Sequence, residues 1–224
     1  MRTYGGHEWN FEGIADQIAR CLKIGGVVVW VVGDKTKDWG ETLSSMRQAL
    51  YFVDNCELKM HDTMIYHKEG MPTDPRQRYY QRWEYMFVMS KGKRKTFNPL
   101  KDASASGRKQ YNGVDRRGDT LISTRKQWQT GKFAVRGNIW KYDPRNCWGN
   151  HPAPFPEQLA LDHISSWSNP DDIVLDPFVG SGTTLKAAKE LNRHYVGIEV
   201  NPQYVRISEK RVAENSQPLL IANQ

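Results

Sequence analysis

The chain has 224 residues, of which 38% are apolar and 11% aromatic, and it carries 32 Lys and Arg against 25 Asp and Glu. This composition can form the core of one sizeable domain and excludes disorder throughout the chain. The longest aliphatic stretch, Val27–Val32, is far shorter than the roughly 20 residues of a membrane-spanning helix, and no signal-peptide segment follows Met1. Three scattered cysteines fit neither a disulfide framework nor a zinc motif. We therefore expect a cytoplasmic globular protein without metal.

The net charge of +7 is unevenly distributed. Residues 91–145 hold 15 basic and 4 acidic residues, a net charge of +11, so the remainder carries −4. Six aromatic residues lie among these cations, which favours a small folded lobe that binds a polyanion over a solvated, flexible loop.

The first part of the chain predicts helices and strands in alternation. Apolar residues at helical spacing indicate a helix from Phe11 to Leu22, and the β-branched run Val27–Val32 indicates a strand buried on both faces, as in a parallel sheet. A helix over 42–53, strands over 58–66 and 83–89, and a long loop over 69–82 follow.

The last part of the chain repeats this alternation. The predicted elements are a helix over 157–167, a strand over 172–176, a helix over 185–191, a strand over 195–200 and a helix over 202–214. Strands and helices alternating at both ends of the chain predict an α/β fold with a doubly wound sheet.

A glycine-rich turn, Asp176-Pro177-Phe178-Val179-Gly180-Ser181-Gly182-Thr183-Thr184, joins the predicted 172–176 strand to the following helix. Its glycines allow the backbone to approach a ligand at the carboxyl end of the strand. Glu199, nineteen residues after Gly180, is placed to accept hydrogen bonds from a ribose diol. This pattern predicts a site for a nucleoside-bearing cofactor.

Three such cofactors compete for this turn. A P-loop requires Gly-Lys-Ser/Thr, whereas the chain has Gly182-Thr183-Thr184, and a dinucleotide fingerprint requires glycine or alanine where Leu185 stands. Neither phosphate-binding pattern is present. S-adenosylmethionine, which has ribose and adenine but no phosphate, fits the remaining features.

The motif Asp176-Pro177-Phe178-x-Gly180-Ser181-Gly182-Thr183-Thr184, with His151-Pro152-Ala153-x-Phe155-Pro156 before it and Gly197-Ile198-Glu199 after it, resembles the amino-group DNA methyltransferases. The resemblance is to the group whose cofactor motif follows the target-recognition region, and it spans nearly the whole chain. It implies methyl transfer from S-adenosylmethionine to N6 of adenine or N4 of cytosine in double-stranded DNA, as in restriction-modification systems. The implied fold is a Rossmann-like methyltransferase sheet.

The resemblance also implies a set of cofactor-binding residues. These are Asp176, Phe178, Gly180, Ser181, Gly182, Thr183, Glu199, His151 and Phe155. The alternative role for His151 is that of a helix-entry residue beside Pro152.

The basic segment occupies the position of the family's target-recognition region. Its expected DNA contacts are Lys93, Arg94, Lys95, Arg108, Lys109, Arg116, Arg117, Arg125 and Lys126. The expected domains are a catalytic-side half over 1–90, a DNA-recognition insert over 91–147, a cofactor-binding half over 148–216 and a tail over 217–224.

Such enzymes hold the flipped base with an Asp/Asn/Ser-Pro-Pro-aromatic tetrapeptide, which this sequence does not contain. Asn201-Pro202-Gln203-Tyr204 is a superficial match, but Asn201 and Pro202 have the pattern of a helix N-cap and first turn. The resemblance places the tetrapeptide strand between the 172–176 strand and Val27–Val32. We therefore expect an N-terminally incomplete sheet, with the catalytic residues unknown and the strand supplied by a longer form, a partner chain or a homodimer.

Asp34, after the Val27–Val32 strand, has two possible roles: it lines the base pocket or it caps the local turn. For the whole chain, the alternatives to an enzyme on DNA are a non-catalytic DNA-binding module with a methyltransferase-like scaffold and a small-molecule methyltransferase.

Overall fold

The structure, a computed structural model, describes residues 9–70, 79, 81–103, 108–117, 120–129, 133–143 and 155–214. It has two compact units: one combines residues 1–98 and 138–224, and the other is Pro99–Gly137. In chain order the elements are α1 (Phe11–Cys21), β1 (Val27–Val32), β2 (Thr36–Lys37), β3 (Gly40–Glu41), α2 (Ser44–Asp54), β4 (Lys59–Lys68), β5 (Trp83–Ser90), β6 (Lys101–Ala103), β7 (Arg108–Arg117), β8 (Thr120–Gln129), β9 (Phe133–Val135), β10 (Ile139–Tyr142), α3 (Glu157–Trp167), β11 (Ile173–Asp176), α4 (Thr183–Glu190), β12 (His194–Gly197) and α5 (Pro202–Glu214).

The main sheet of the larger unit has the strand order β1-β5-β4-β10. β5 is antiparallel to both β1 and β4, whereas β10 is parallel to β4. The expectation that Val27–Val32 pairs as in a parallel sheet is wrong for its described neighbour, since Val27 pairs with Ser90 and Val32 with Tyr85 in antiparallel register. A continuous apolar run is typical of parallel strands because both of their faces are covered, but an antiparallel strand can carry the same run, as β1 does here with its residues largely half-buried.

Helices cover both faces of this sheet. On one face, α1 and α2 contribute Ala15, Ala49 and Phe52 to a core that includes Phe87 of β5. On the other face, α3 places His163 Nε2 at 3.1 Å from Met86 Sδ. Burial lowers the pKa of His163 to about 4, so this histidine is neutral at physiological pH.

The parallel pair β11–β12 is a separate two-stranded sheet of the same unit. Val174 of β11 packs against a cluster from α3 and α4, which include Ala160 and Ala187. The opposite face exposes Ile173, Leu175 and Val196 by 61%, 40% and 50%. Among the described residues, β1 and β11 each have one strand neighbour, so each retains one unpaired edge.

The described residues of the smaller unit form two antiparallel ribbons. β7 and β8 form ten residue pairs from Arg108–Gln129 to Arg117–Thr120, and β6 pairs with β9. An ion pair at 2.9 Å joins Arg136 Nε to Asp102 Oδ1. No helix among the described residues is long and apolar enough to cross a membrane.

Candidate active site

The turn between β11 and α4 requires its glycines. Gly180 and Gly182 have φ values of 51° and 85°, in the left-handed region that other residues rarely adopt. A Cβ atom at position 182 would also lie 2.9 Å from Ser208 Cβ of α5. The turn is therefore packed closely against α5, and its conformation depends on both glycines.

The carboxylate of Glu199 is fixed against this turn. Its Oε2 accepts a hydrogen bond from the Gly180 N–H and its Oε1 accepts one from the Asn201 N–H, both at 2.8 Å. Each carboxylate oxygen can accept more than one hydrogen bond. The contacts therefore orient Glu199 while leaving it the capacity to accept hydrogen bonds from a ribose diol.

Asp176, at the end of β11, supports the same turn. Its Oδ1 accepts a hydrogen bond from the Phe178 N–H at 2.8 Å. Burial raises its pKa, hydrogen bonds from Thr184 and Phe178 act in the opposite direction, and the charge of Glu199 adds to the rise. The two carboxylates thus lie close enough to influence each other at the predicted cofactor turn.

Phe178 brings an aromatic surface to the site. It is 44% exposed, and its ring centroid lies 5.2 Å from that of Trp9 and 6.3 Å from that of Trp30 in β1. Phe178 was predicted from the sequence and the two tryptophans were not, because nothing local in the sequence indicates that these distant segments meet. The contact places the turn after β11 beside the carboxyl-terminal half of β1.

The other residues predicted to bind the cofactor differ in their surroundings. The hydroxyls of Ser181 and Thr183 accept hydrogen bonds from Arg211 Nη1 at 3.3 and 2.8 Å, a residue that sequence analysis did not select. Phe155 is partly buried against the α3–α4 core cluster. His151 lies outside the described residues.

Asp34 caps a helix. Its carboxylate accepts hydrogen bonds from the N–H and Oγ of Ser45 and from Ser44 Oγ, at the start of α2. Burial alone would raise the pKa of Asp34, but these hydrogen bonds outweigh that effect and lower it. The structure thus assigns Asp34 a capping contact with α2, which is neither the local turn cap nor the base-pocket role considered from the sequence.

The Asn201 side chain also caps a helix, since its Oδ1 accepts a hydrogen bond from the Gln203 N–H at 2.9 Å. The prediction that Asn201-Pro202 starts a helix is confirmed. This segment is therefore an N-terminal cap of α5.

Three of the predicted DNA-binding residues lie in the larger unit, between β5 and β6. Lys93 and Lys95 are exposed, and the side chain of Lys95 packs over Gly25. Arg94 Nε donates to His61 Nε2 at 2.9 Å, and its guanidinium lies 4.6 Å from the Phe97 ring centroid. The Arg94 guanidinium is thus already in contact with the side chains of His61 and Phe97.

The other six lie on the β7–β8 ribbon of the smaller unit. Because residues alternate between the faces of a strand, the pairing register assigns Arg108, Arg116 and Arg125 to one face and Lys109, Arg117 and Lys126 to the other. Each face of the ribbon therefore has three basic positions.

The arrangement, with a glycine turn after a strand, an acid at the end of the next strand and a sheet covered by helices, is that of a Rossmann-like methyltransferase. Solved structures share this fold, and two of them illustrate the similarity. The PvuII cytosine-N4-specific DNA methyltransferase aligns with a TM-score of 0.69 and 18% identity over 93% of this chain and 71% of that chain. The complex of M1.HpyAVI with S-adenosylmethionine aligns with a TM-score of 0.61 and 25% identity over 90% of this chain and 81% of that one.

The sequence model described as DNA methylase, N6_N4_Mtase, matches residues 4–210. The orphan methyltransferase M.BamHII of Bacillus amyloliquefaciens is 47% identical over 223 residues, which cover 95% of this chain and 84% of that protein. The type II methyltransferase M.BglII of Bacillus subtilis is 27% identical over 90% of this chain, which spans 55% of that relative's length.

The chain belongs to the N6/N4 DNA methylase family of S-adenosylmethionine-dependent enzymes. The fold class, enzyme class and cofactor predicted from the sequence are confirmed.

Proposed function

We propose that this chain provides the cofactor-binding and DNA-recognition parts of an enzyme that methylates N6 of adenine or N4 of cytosine in double-stranded DNA. The observation that carries the proposal is the glycine turn at Gly180–Gly182, with the carboxylate of Glu199 held 2.8 Å from the Gly180 amide. In this site Glu199 binds the ribose diol of S-adenosylmethionine, and the glycines allow the cofactor to approach the backbone. We assign this activity to the cytoplasm, where S-adenosylmethionine and DNA are both available in bacteria such as the source of the relative M.BamHII.

The remaining predicted residues complete the cofactor pocket in this proposal. Asp176 supports the turn, Phe178 offers an aromatic face to adenine or to the flipped base, and His151 and Phe155 contribute to the S-adenosylmethionine pocket, as the family resemblance implies. Stacking on an aromatic side chain is a common way to hold an extruded base. The exocyclic amine attacks the cofactor's methyl group directly and then loses a proton, so no covalent enzyme intermediate is required.

Recognition of DNA is assigned to the basic β7–β8 ribbon. The Pro99–Gly137 unit that carries it is a compact unit of its own, and both faces of the ribbon have three basic positions by register. A two-stranded ribbon can enter the major groove of DNA, and basic residues along it neutralise phosphates. The ribbon and the cofactor turn would thus belong to different units, although the expected insert of 91–147 also includes residues 91–98 and 138–147 of the larger unit, which contains the expected cofactor-binding half of 148–216.

The acceptors for the target amine would come from a strand that lies outside residues 1–224. β1 and β11 each have an unpaired edge among the described residues, and Phe178 beside β11 contacts Trp30 of β1. The exposed apolar side chains of Ile173, Leu175 and Val196 supply a surface that further polypeptide can cover. A strand between β1 and β11, from a longer polypeptide or a partner chain, would complete the sheet.

A methyl-transfer assay tests this function. The chain is expressed alone and from its native locus with the flanking coding sequence, and each preparation is incubated with duplex DNA and S-adenosylmethionine. Mass spectrometry of the hydrolysed DNA should detect N6-methyladenine or N4-methylcytosine only in the preparation from the native locus, where a longer polypeptide or a partner chain encoded beside it can supply the strand.

Two outcomes contradict parts of this account. Full activity of residues 1–224 alone would refute the proposal that the strand with the amine acceptors lies outside these residues. Absence of methylated nucleosides from both preparations, with DNA affinity retained, would support the non-catalytic DNA-binding module instead.

A further inference from the structure

Arg211 places a buried positive charge directly behind the cofactor turn. The residue lies on α5 and is 3% exposed. Its Nη1 donates to Thr183 Oγ1 at 2.8 Å and to both the carbonyl oxygen and Oγ of Ser181 at 3.3 Å. The guanidinium therefore bonds to the residues on either side of Gly182.

A carboxylate from another helix forms an ion pair with this charge. Arg211 Nη2 donates to Glu157 Oε2 at 3.0 Å, and Glu157, the first residue of α3, also accepts a hydrogen bond from Lys186 of α4. A buried guanidinium without a counter-charge would be strongly unfavourable. The ion-pair network consequently joins α3, α4 and α5 to the turn.

Two different side chains hold the turn, at positions 180, 181 and 183. Glu199 binds the Gly180 amide, whereas Arg211 binds Ser181 and Thr183. Gly182 lies between these attachments and packs against Ser208, one helical turn before Arg211. Little freedom remains in the backbone from 180 to 183.

We propose that Arg211 is a positioning residue for S-adenosylmethionine. It sets the conformation of the turn through Ser181 and Thr183, and Glu157 holds its guanidinium in place. The inference rests on the proposed function, because it takes the turn as the cofactor site. Arg211 acts through other residues, so its loss should weaken cofactor affinity in protein that remains folded.

The chemistry of guanidinium distinguishes this role from a simple buried charge. Arginine presents several N–H donors in a fixed planar fork, whereas lysine has one ammonium group. Arg211→Lys can satisfy Glu157 or Thr183 but cannot span Ser181, Thr183 and Glu157 together. Arg211→Met keeps the length of the side chain and removes every donor.

Calorimetric titration of the full chain with S-adenosylmethionine tests the proposal, at a temperature well below the lowest Tm of the variants. Arg211→Met should raise Kd by about tenfold or more, which corresponds to the loss of at least one hydrogen bond to the turn. Arg211→Lys should give an intermediate Kd. Val88→Ala, at a fully buried position of β5 in the main sheet, is the control for lost stability and should keep the wild-type Kd despite a lower Tm.

The possible outcomes separate this proposal from the function on which it rests. Wild-type affinity in Arg211→Met, or an equal rise in Kd in Val88→Ala, would overturn the positioning role while leaving the cofactor site intact. Failure of the wild-type chain to bind S-adenosylmethionine would overturn the cofactor assignment of the turn, and the role of Arg211 with it.

Discussion

Two acidic residues near the ends of strands have different partners and therefore different roles. Glu199, after β12, binds the amides of Gly180 and Asn201 beside the cofactor turn. Asp34, after β1, accepts hydrogen bonds from Ser44 and Ser45 at the start of α2. The N-cap residue of α2, Leu43, provides no side-chain hydrogen bond. Asp34 therefore supplies from another segment the acceptor that a capping side chain normally provides.

This role predicts a stability effect without a cofactor effect. Asp34→Ala should lower the free energy of unfolding at pH 7 by about 1–2 kcal/mol, as expected for the loss of a helix cap. The folded-state pKa of Asp34 is lowered, so its contribution is present above the unfolded pKa of about 4 and is lost as pH falls through the folded value. Urea denaturation at several pH values should show the difference from wild type shrinking below about pH 4.

Asp54→Ala, which alters an exposed acid at the end of the same helix, is the matched control and should change stability little. Loss of S-adenosylmethionine or DNA binding in folded Asp34→Ala would instead support a role in the base pocket.

Among the helices and strands, the sequence predicts best the bounds of those elements whose ends are determined by local patterns. The bounds of α3 and α5 agree with the predicted helices over 157–167 and 202–214, because their apolar spacing and, for α5, the Asn201 cap are visible in the sequence. α4 begins at Thr183, two residues earlier than predicted, since its start depends on the left-handed Gly182 packed against Ser208. β10 has only four residues, which is too short a stretch to indicate a strand in the sequence, and its pairing with β4 could not be predicted.

The β7–β8 ribbon carries the prediction about DNA. Replacing Arg116, Arg117, Arg125 and Lys126 by Glu should greatly weaken duplex binding and flatten its salt dependence, because fewer phosphates are neutralised. S-adenosylmethionine affinity should remain unchanged. Fluorescence anisotropy with labelled duplex DNA over a range of salt concentrations measures both effects on binding.

A control with the same charge change replaces Arg20, Lys23, Lys59 and Lys210, all exposed residues of the larger unit, by Glu. It should bind DNA more tightly than the ribbon variant. Equal losses in the two variants would show that only total charge matters and that the ribbon is no specific DNA-binding element.

For the whole molecule, the cofactor turn could be predicted because Asp176–Thr184 is a contiguous motif, and Glu199 could be predicted because it follows that motif at a fixed spacing. The contacts that other segments make with this turn could not be predicted from the sequence. Trp9, Trp30 and Arg211 reach the turn from segments far away in the sequence, and no local pattern indicates such contacts. The direction of β1 was predicted wrongly, since a continuous apolar run is typical of parallel strands but also occurs in this strand, which is antiparallel to β5.

The central claim is that the turn at Gly180–Gly182 and the carboxylate of Glu199 bind S-adenosylmethionine, and calorimetric titration of wild type and Glu199→Ala tests it most directly. Glu199→Ala removes the acceptor for the ribose diol and the partner of the Gly180 amide. Glu190→Ala, an exposed acid at the end of α4, is the matched control. We predict saturable binding by wild type and Glu190→Ala and no measurable binding by folded Glu199→Ala; wild-type affinity in Glu199→Ala would contradict the account.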